Sequence, residues 1–97
     1  MTVEQIFTEF EGDLTSLNEF AGRLILSLEE SNLDAIEARL CRHAVVQQKF
    51  ERYAARILTG CGWDLQEGTG RMTPAQDMLL QRLRARLAEK RALHATG

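Results

Sequence analysis

Apolar residues recur at Val3, Phe7, Phe10, Leu14, Leu17, Ala21, Leu24 and Leu28, spaced alternately by four and three. This is a heptad seam, and it predicts one long helix over residues 2–31 that lies along another helix. At about 1.5 Å per residue such a helix is roughly 45 Å long, so its stripe must be covered by the rest of the chain or by a partner. Thr2 with Gln5 three residues on has the spacing of a capping box at its start. Ile6, Phe20, Ile25 and Leu26 widen the face, which suits a helix touched from two sides. Gly12 is read as a tolerated interior glycine, at a cost of about 1 kcal/mol relative to alanine.

Residues 29–34, Glu-Glu-Ser-Asn-Leu-Asp, form the turn, with Ser31 or Asn32 as the cap of a second helix. A connection this short predicts an antiparallel hairpin. The second helix, residues 33–59, carries Leu33, Ile36, Leu40, Val46, Phe50, Tyr53 and Ile57. His43 and Gln47 interrupt its stripe. They read either as a satisfied polar layer or slip of register, or as a weak spot where the hairpin parts. Glycines between 60 and 70 mark a loop over 60–72, and Trp63 is expected to fold back as a plug on the hairpin end, with an exposed binding anchor as the alternative.

Thr73-Pro74-Ala75-Gln76 is the clearest local signal: an N-cap, proline at the first helical position and glutamine at the capping-box site. The third helix runs over 73–94, with a narrow stripe of Leu79, Leu80, Leu83 and Leu87 that thins into Glu89, Lys90 and Arg91. The expected fold is therefore all-α, a single helical domain over 1–97: a long antiparallel helical hairpin plus a third helix, in a three-helix or coiled-coil-like bundle. The third helix, weakly amphipathic and basic, is the element expected to move or to meet something else.

Charge sharpens this picture. Residues 1–31 hold seven acids against Arg23 alone, a balance of −6, while residues 71–97 hold six bases against Asp77 and Glu89, a balance of +4. Attraction between an acidic first helix and a basic last one would fix their neighbourhood. The alternative, a basic helix that meets an acidic partner or nucleic acid, is weakened on the nucleic-acid side by the absence of interleaved aromatics. No apolar run approaches membrane-spanning length and no secretory signal is visible, so a cytoplasmic protein with Cys41 and Cys61 as reduced thiols is expected.

The residues offer little to chemistry. Cys41 and His43, two apart on a helix, point to nearly opposite sides and cannot grip one metal ion. There is no nucleophile motif or phosphate-cradling glycine loop with its lysine. No enzyme, metal or cofactor is expected, and neither membrane nor nucleic acid is expected as a partner.

The order of residue classes from 10 to 62 resembles the FlgN and FliT type of flagellar export chaperone. The resemblance rests on Leu28-Glu29-Glu30, Leu33-Asp34-Ala35-Ile36, Glu37-Ala38-Arg39-Leu40, Gln47-Gln48-Lys49-Phe50 and Arg56-Ile57-Leu58 before Gly60. It implies a type III secretion chaperone that masks an amphipathic helix of an export substrate by helix-in-groove packing. Carried over by position, it implies that Leu79, Leu80, Leu83 and Leu87 anchor the client while Arg82 and Arg86 meet its acids. On that view Leu83→Glu spares the hairpin and abolishes capture. The competing readings are a structural or adaptor coiled coil, as a homodimer whose first-helix seams face one another, and a small regulator that sequesters a transcription factor.

Overall fold

Thr2 opens the first helix with the reciprocal cap its spacing predicts. The Gln5 main-chain N–H donates to Thr2 Oγ1 at 3.2 Å, and the Thr2 N–H donates to Gln5 Oε1 at 2.9 Å. In this computed structural model, residues 2–60, 64–65 and 70–96 are described; Cys61 and Trp63 lie outside them. Among the described residues, five helices form: α1 (Val3–Glu11), α2 (Leu17–Leu26), α3 (Leu33–Leu40), α4 (Ala44–Thr59) and α5 (Pro74–Thr96). A two-residue antiparallel ribbon, β1 (Asp64–Leu65) with β2 (Gly70–Arg71), lies within the expected loop and pairs Asp64 with Arg71 and Leu65 with Gly70.

The all-helical class holds, but neither long helix forms. The first ends at Gly12. Asp13 takes a left-handed φ of 59°, its N–H donates to Phe10 O, and the Leu14 N–H donates to Glu9 O, which together make a Schellman stop. Ser16 then starts α2, its hydroxyl accepting from the Glu19 N–H. Leu14, a seam position in the heptad reading, is 74% exposed. The seam spacing survives because α1 and α2 fold together rather than running on: Phe20 stacks on Phe10 at 4.2 Å between centroids and meets Phe7 edge-on at 5.2 Å.

The second helix breaks at Cys41–His43, where its stripe was interrupted. His43 is extended and restarts the chain as the N-cap of α4 without a side-chain cap bond. Asn32 precedes α3, yet its side chain serves the turn instead of the helix: Nδ2 donates to Ser27 O at 2.6 Å and Oδ1 accepts from the Glu29 N–H at 2.9 Å. The third helix keeps its forecast start, with Thr73 and Gln76 exchanging bonds of 3.0 and 3.1 Å.

All five helices feed one core, in which Phe20, Leu24, Ile25, Ile36, Leu40, Phe50 and Ala54 are fully buried. The Cα radius of gyration is 12.6 Å, against about 12.5 Å for a compact chain of this length. A 45 Å rod does not fit the principal extents of 40 × 30 × 24 Å alongside that value. Among the described residues, no helix is long and apolar enough to cross a membrane.

Candidate functional site

Leu79, Leu83 and Leu87 recur every fourth residue on α5 and share one side of it with Leu80. That side faces inward. Leu79 is 7% exposed, and Leu80, Leu83 and Leu87 are fully buried among core residues of α2, α3 and α4. The expectation that these leucines stand in reserve for a partner's helix is therefore corrected: in this fold they are core, because α2, α3 and α4 pack on that side of α5 and cover it.

The flanking cations are occupied as well. Arg82 pairs with Glu30 at 3.0 Å, Arg86 with Asp34 at 2.6 Å and Lys90 with Glu37 at 3.7 Å. Acids and bases meet in the same chain order, so α3 lies beside α5 and runs in the same direction. The acidic first segment is not what holds the basic helix. Glu4 and Glu11 pair with Arg39, and Glu9 and Glu19 with Arg23, while Arg39 also lies over the Phe7 ring at 4.7 Å. Among the described residues, α5 draws one acid, Glu30, from the first 31.

Beside this ladder runs a polar seam that sequence reading found only as an interruption. Gln47 and Glu51, one turn apart on α4, are each 8% exposed. Gln47 Nε2 donates to the Leu87 carbonyl at 3.2 Å and to Glu51 Oε2 at 3.4 Å, while Glu51 pairs with Arg91 at 3.3 Å. Gln47 is thus a satisfied polar layer. Cys41, half-buried at the end of α3, borders the same seam. Burial pushes its thiol pKa up; Lys90 pulls it down, and Glu37 and Glu51 push it up further. A protonated thiol at neutral pH is a poor nucleophile.

Two surface clefts accompany the amino-terminal helices. One, of about 240 Å³, follows α1 along Glu4, Gln5, Thr8 and Glu9; the other, of about 350 Å³, lies between α1 and α2 against Ile6, Arg23, Leu26 and Ser27. Neither brings a nucleophile to a base. Among the described residues, no group of three or more His, Cys, Asp or Glu side chains is placed to hold a metal ion.

The outer face of α4 was also missed. Val45, Gln48, Lys49, Arg52, Arg56 and Thr59 are exposed, opposite the buried Phe50, Tyr53, Ala54 and Ile57. The signal was available in the spacing of Lys49, Arg52 and Arg56 by three and four.

No family model matches the chain, and neither a curated protein nor a solved structure matches it.

Proposed function

We propose that this chain is a small helical adaptor: a non-enzymatic, self-contained bundle that binds another protein through its outer surface. The observation that supports this reading over the masking of a client is the burial of Leu79, Leu80, Leu83 and Leu87. A helix-in-groove binder keeps an apolar stripe open for its guest. Here the protein's own α2, α3 and α4 take up that stripe.

A second reading keeps the client-masking role that the likeness to flagellar export chaperones implies. It draws on the way α5 is held along Arg82 to Lys90, by ion pairs to Glu30, Asp34 and Glu37 whose cationic ends are partly exposed, and by the Gln47–Glu51 seam. Exposed ion pairs of this kind contribute little individually and are screened by salt. In this reading α5 lifts away and yields its leucines to a client helix.

Tethering separates the two. Asp34→Cys and Arg86→Cys, in a background with Cys41 and Cys61 replaced by serine, allow a flexible bismaleimide to pin α5 to α3. Partner capture that survives the tether fits the adaptor; capture present before cross-linking and lost after it transfers the function to a released α5.

A further inference from the structure

Many cations of the described residues are taken up by acids of the same chain. Arg23, Arg39, Arg82, Arg86, Lys90 and Arg91 each pair with an acid of the same chain. Among the described residues, Arg42, Lys49, Arg52 and Arg56 are exposed and pair with no acid, and half-buried Arg84 pairs with none either. Lys49, Arg52 and Arg56 lie on α4, in one line along its outer face, Val45, 63% exposed, continues that line one turn earlier, and Arg42 stands just before the helix.

We propose that the outer face of α4 docks an acidic helical segment of a partner protein, an assignment that rests on the adaptor reading. Lys49, Arg52 and Arg56 span about 10.5 Å of helix, so acids at positions i, i+3 and i+7 of a second helix match them one for one. A related row of acid–base pairs at one-turn intervals is already used inside the molecule, where Glu30, Asp34 and Glu37 meet Arg82, Arg86 and Lys90 of α5. Helix-dipole compensation accounts for Arg56 in the last turn of α4, yet reaches neither Lys49 nor Arg52 in its middle. Val45 supplies an apolar foothold at the end of the line.

The chemistry of the face selects a protein over other polyanions. Binding of single-stranded nucleic acid uses aromatic platforms between the cations, and both aromatics of α4, Phe50 and Tyr53, are buried on its far side. Surface binding to anionic lipid uses a broad apolar face beneath the cations, and Val45 is the one large apolar side chain exposed on α4.

The test is fluorescence anisotropy of the full chain with four labelled probes. The first is a designed peptide helix with glutamates at i, i+3 and i+7 and one leucine a turn before them. The second is its register-scrambled isomer, the third a single-stranded oligonucleotide, and the fourth, read by sedimentation, vesicles of phosphatidylserine and phosphatidylcholine. The expected result is salt-sensitive binding of the first peptide, weaker for the scrambled isomer and lost by on the order of tenfold in Lys49→Glu/Arg52→Glu/Arg56→Glu. That variant alters exposed residues only, and an unchanged helical circular-dichroism signal confirms its fold. It should in turn bind a peptide with lysines in place of the glutamates. The proposal is overturned if the triple variant binds the acidic peptide as well as the native chain does, if no peptide binds, or if the oligonucleotide or vesicles bind at least as tightly. A triple variant that still captures the native partner overturns this face alone and leaves the adaptor reading standing; loss of tether-resistant capture by the native chain itself removes that reading instead.

Discussion

The side-chain amide of Gln76 donates to the main-chain carbonyl of Leu26 at 2.6 Å, joining the start of α5 to the end of α2 across 50 residues of sequence. The same side chain closes the cap of its own helix, its Oε1 accepting from the Thr73 N–H at 3.0 Å. One residue therefore answers two needs: an orphan donor at a helix start and an orphan carbonyl at a helix end.

Gln76→Ala removes both bonds and is expected to cost about 1–2 kcal/mol in urea unfolding. Gln76→Glu keeps the acceptor that the cap requires but loses the donor and sets a carboxylate against the Leu26 carbonyl. It is expected to be destabilising too, and a midpoint equal to that of the native protein would show that the Leu26 bond adds nothing.

Gly70 holds a φ of +132°, and a Cβ placed there would stand 2.8 Å from Leu26 Cδ1. Gly70→Ala should therefore destabilise by about 1–3 kcal/mol through strain and collision. Leu26→Ala removes the colliding atom, so the double variant should be more stable than the sum of the single effects requires. A double-mutant cycle with additive losses would place the whole cost in the backbone.

Leu83 and Arg82 are neighbours with opposite fates. Leu83→Ala should cost about 2–5 kcal/mol, and Leu83→Glu should abolish the cooperative thermal transition, because a charge at a fully buried site has no partner. Arg82→Ala, whose pair with Glu30 is largely exposed, should cost at most about 1 kcal/mol and less in added salt. A folded Leu83→Glu protein would return α5 to the role of a spare arm.

Cys41 should alkylate slowly at neutral pH. Its thiolate forms at a higher pH than that of an ordinary cysteine, since burial disfavours the charged form. In a Cys61→Ser background, the pH of half-maximal iodoacetamide reactivity should lie above that of an unfolded control. Lys90→Ala removes the one cation that lowers it and should raise it further; Glu37→Gln should lower it. Unchanged values in both variants would mean that the Lys90 and Glu37 charges do not reach the sulfur.

Local chemistry was legible from the chain alone wherever a few adjacent residues suffice. Thr2 with Gln5 and Thr73-Pro74 with Gln76 start their helices as their spacing foretells, since a cap needs only the residues one turn away. The break at Gly12–Asp13 was written as plainly, in a glycine followed by Ser16 and its own Glu19 three residues on. The heptad spacing masked it. Two short helices that stack Phe10 on Phe20 preserve the same apolar intervals as one long helix.

What the sequence by itself determined is thus the helical class, two of the helix starts and the identity of the leucine stripe on α5. Only the tertiary structure decided what covers that stripe. Periodicity reports that one side of a helix avoids water, but not whether the cover comes from the same chain or another; here α2, α3 and α4 cover Leu80, Leu83 and Leu87 first. Ion pairing was settled in the same way. Attraction between charges depends on which helices lie within a few ångströms, and the acids that meet α5 come chiefly from α3 and α4.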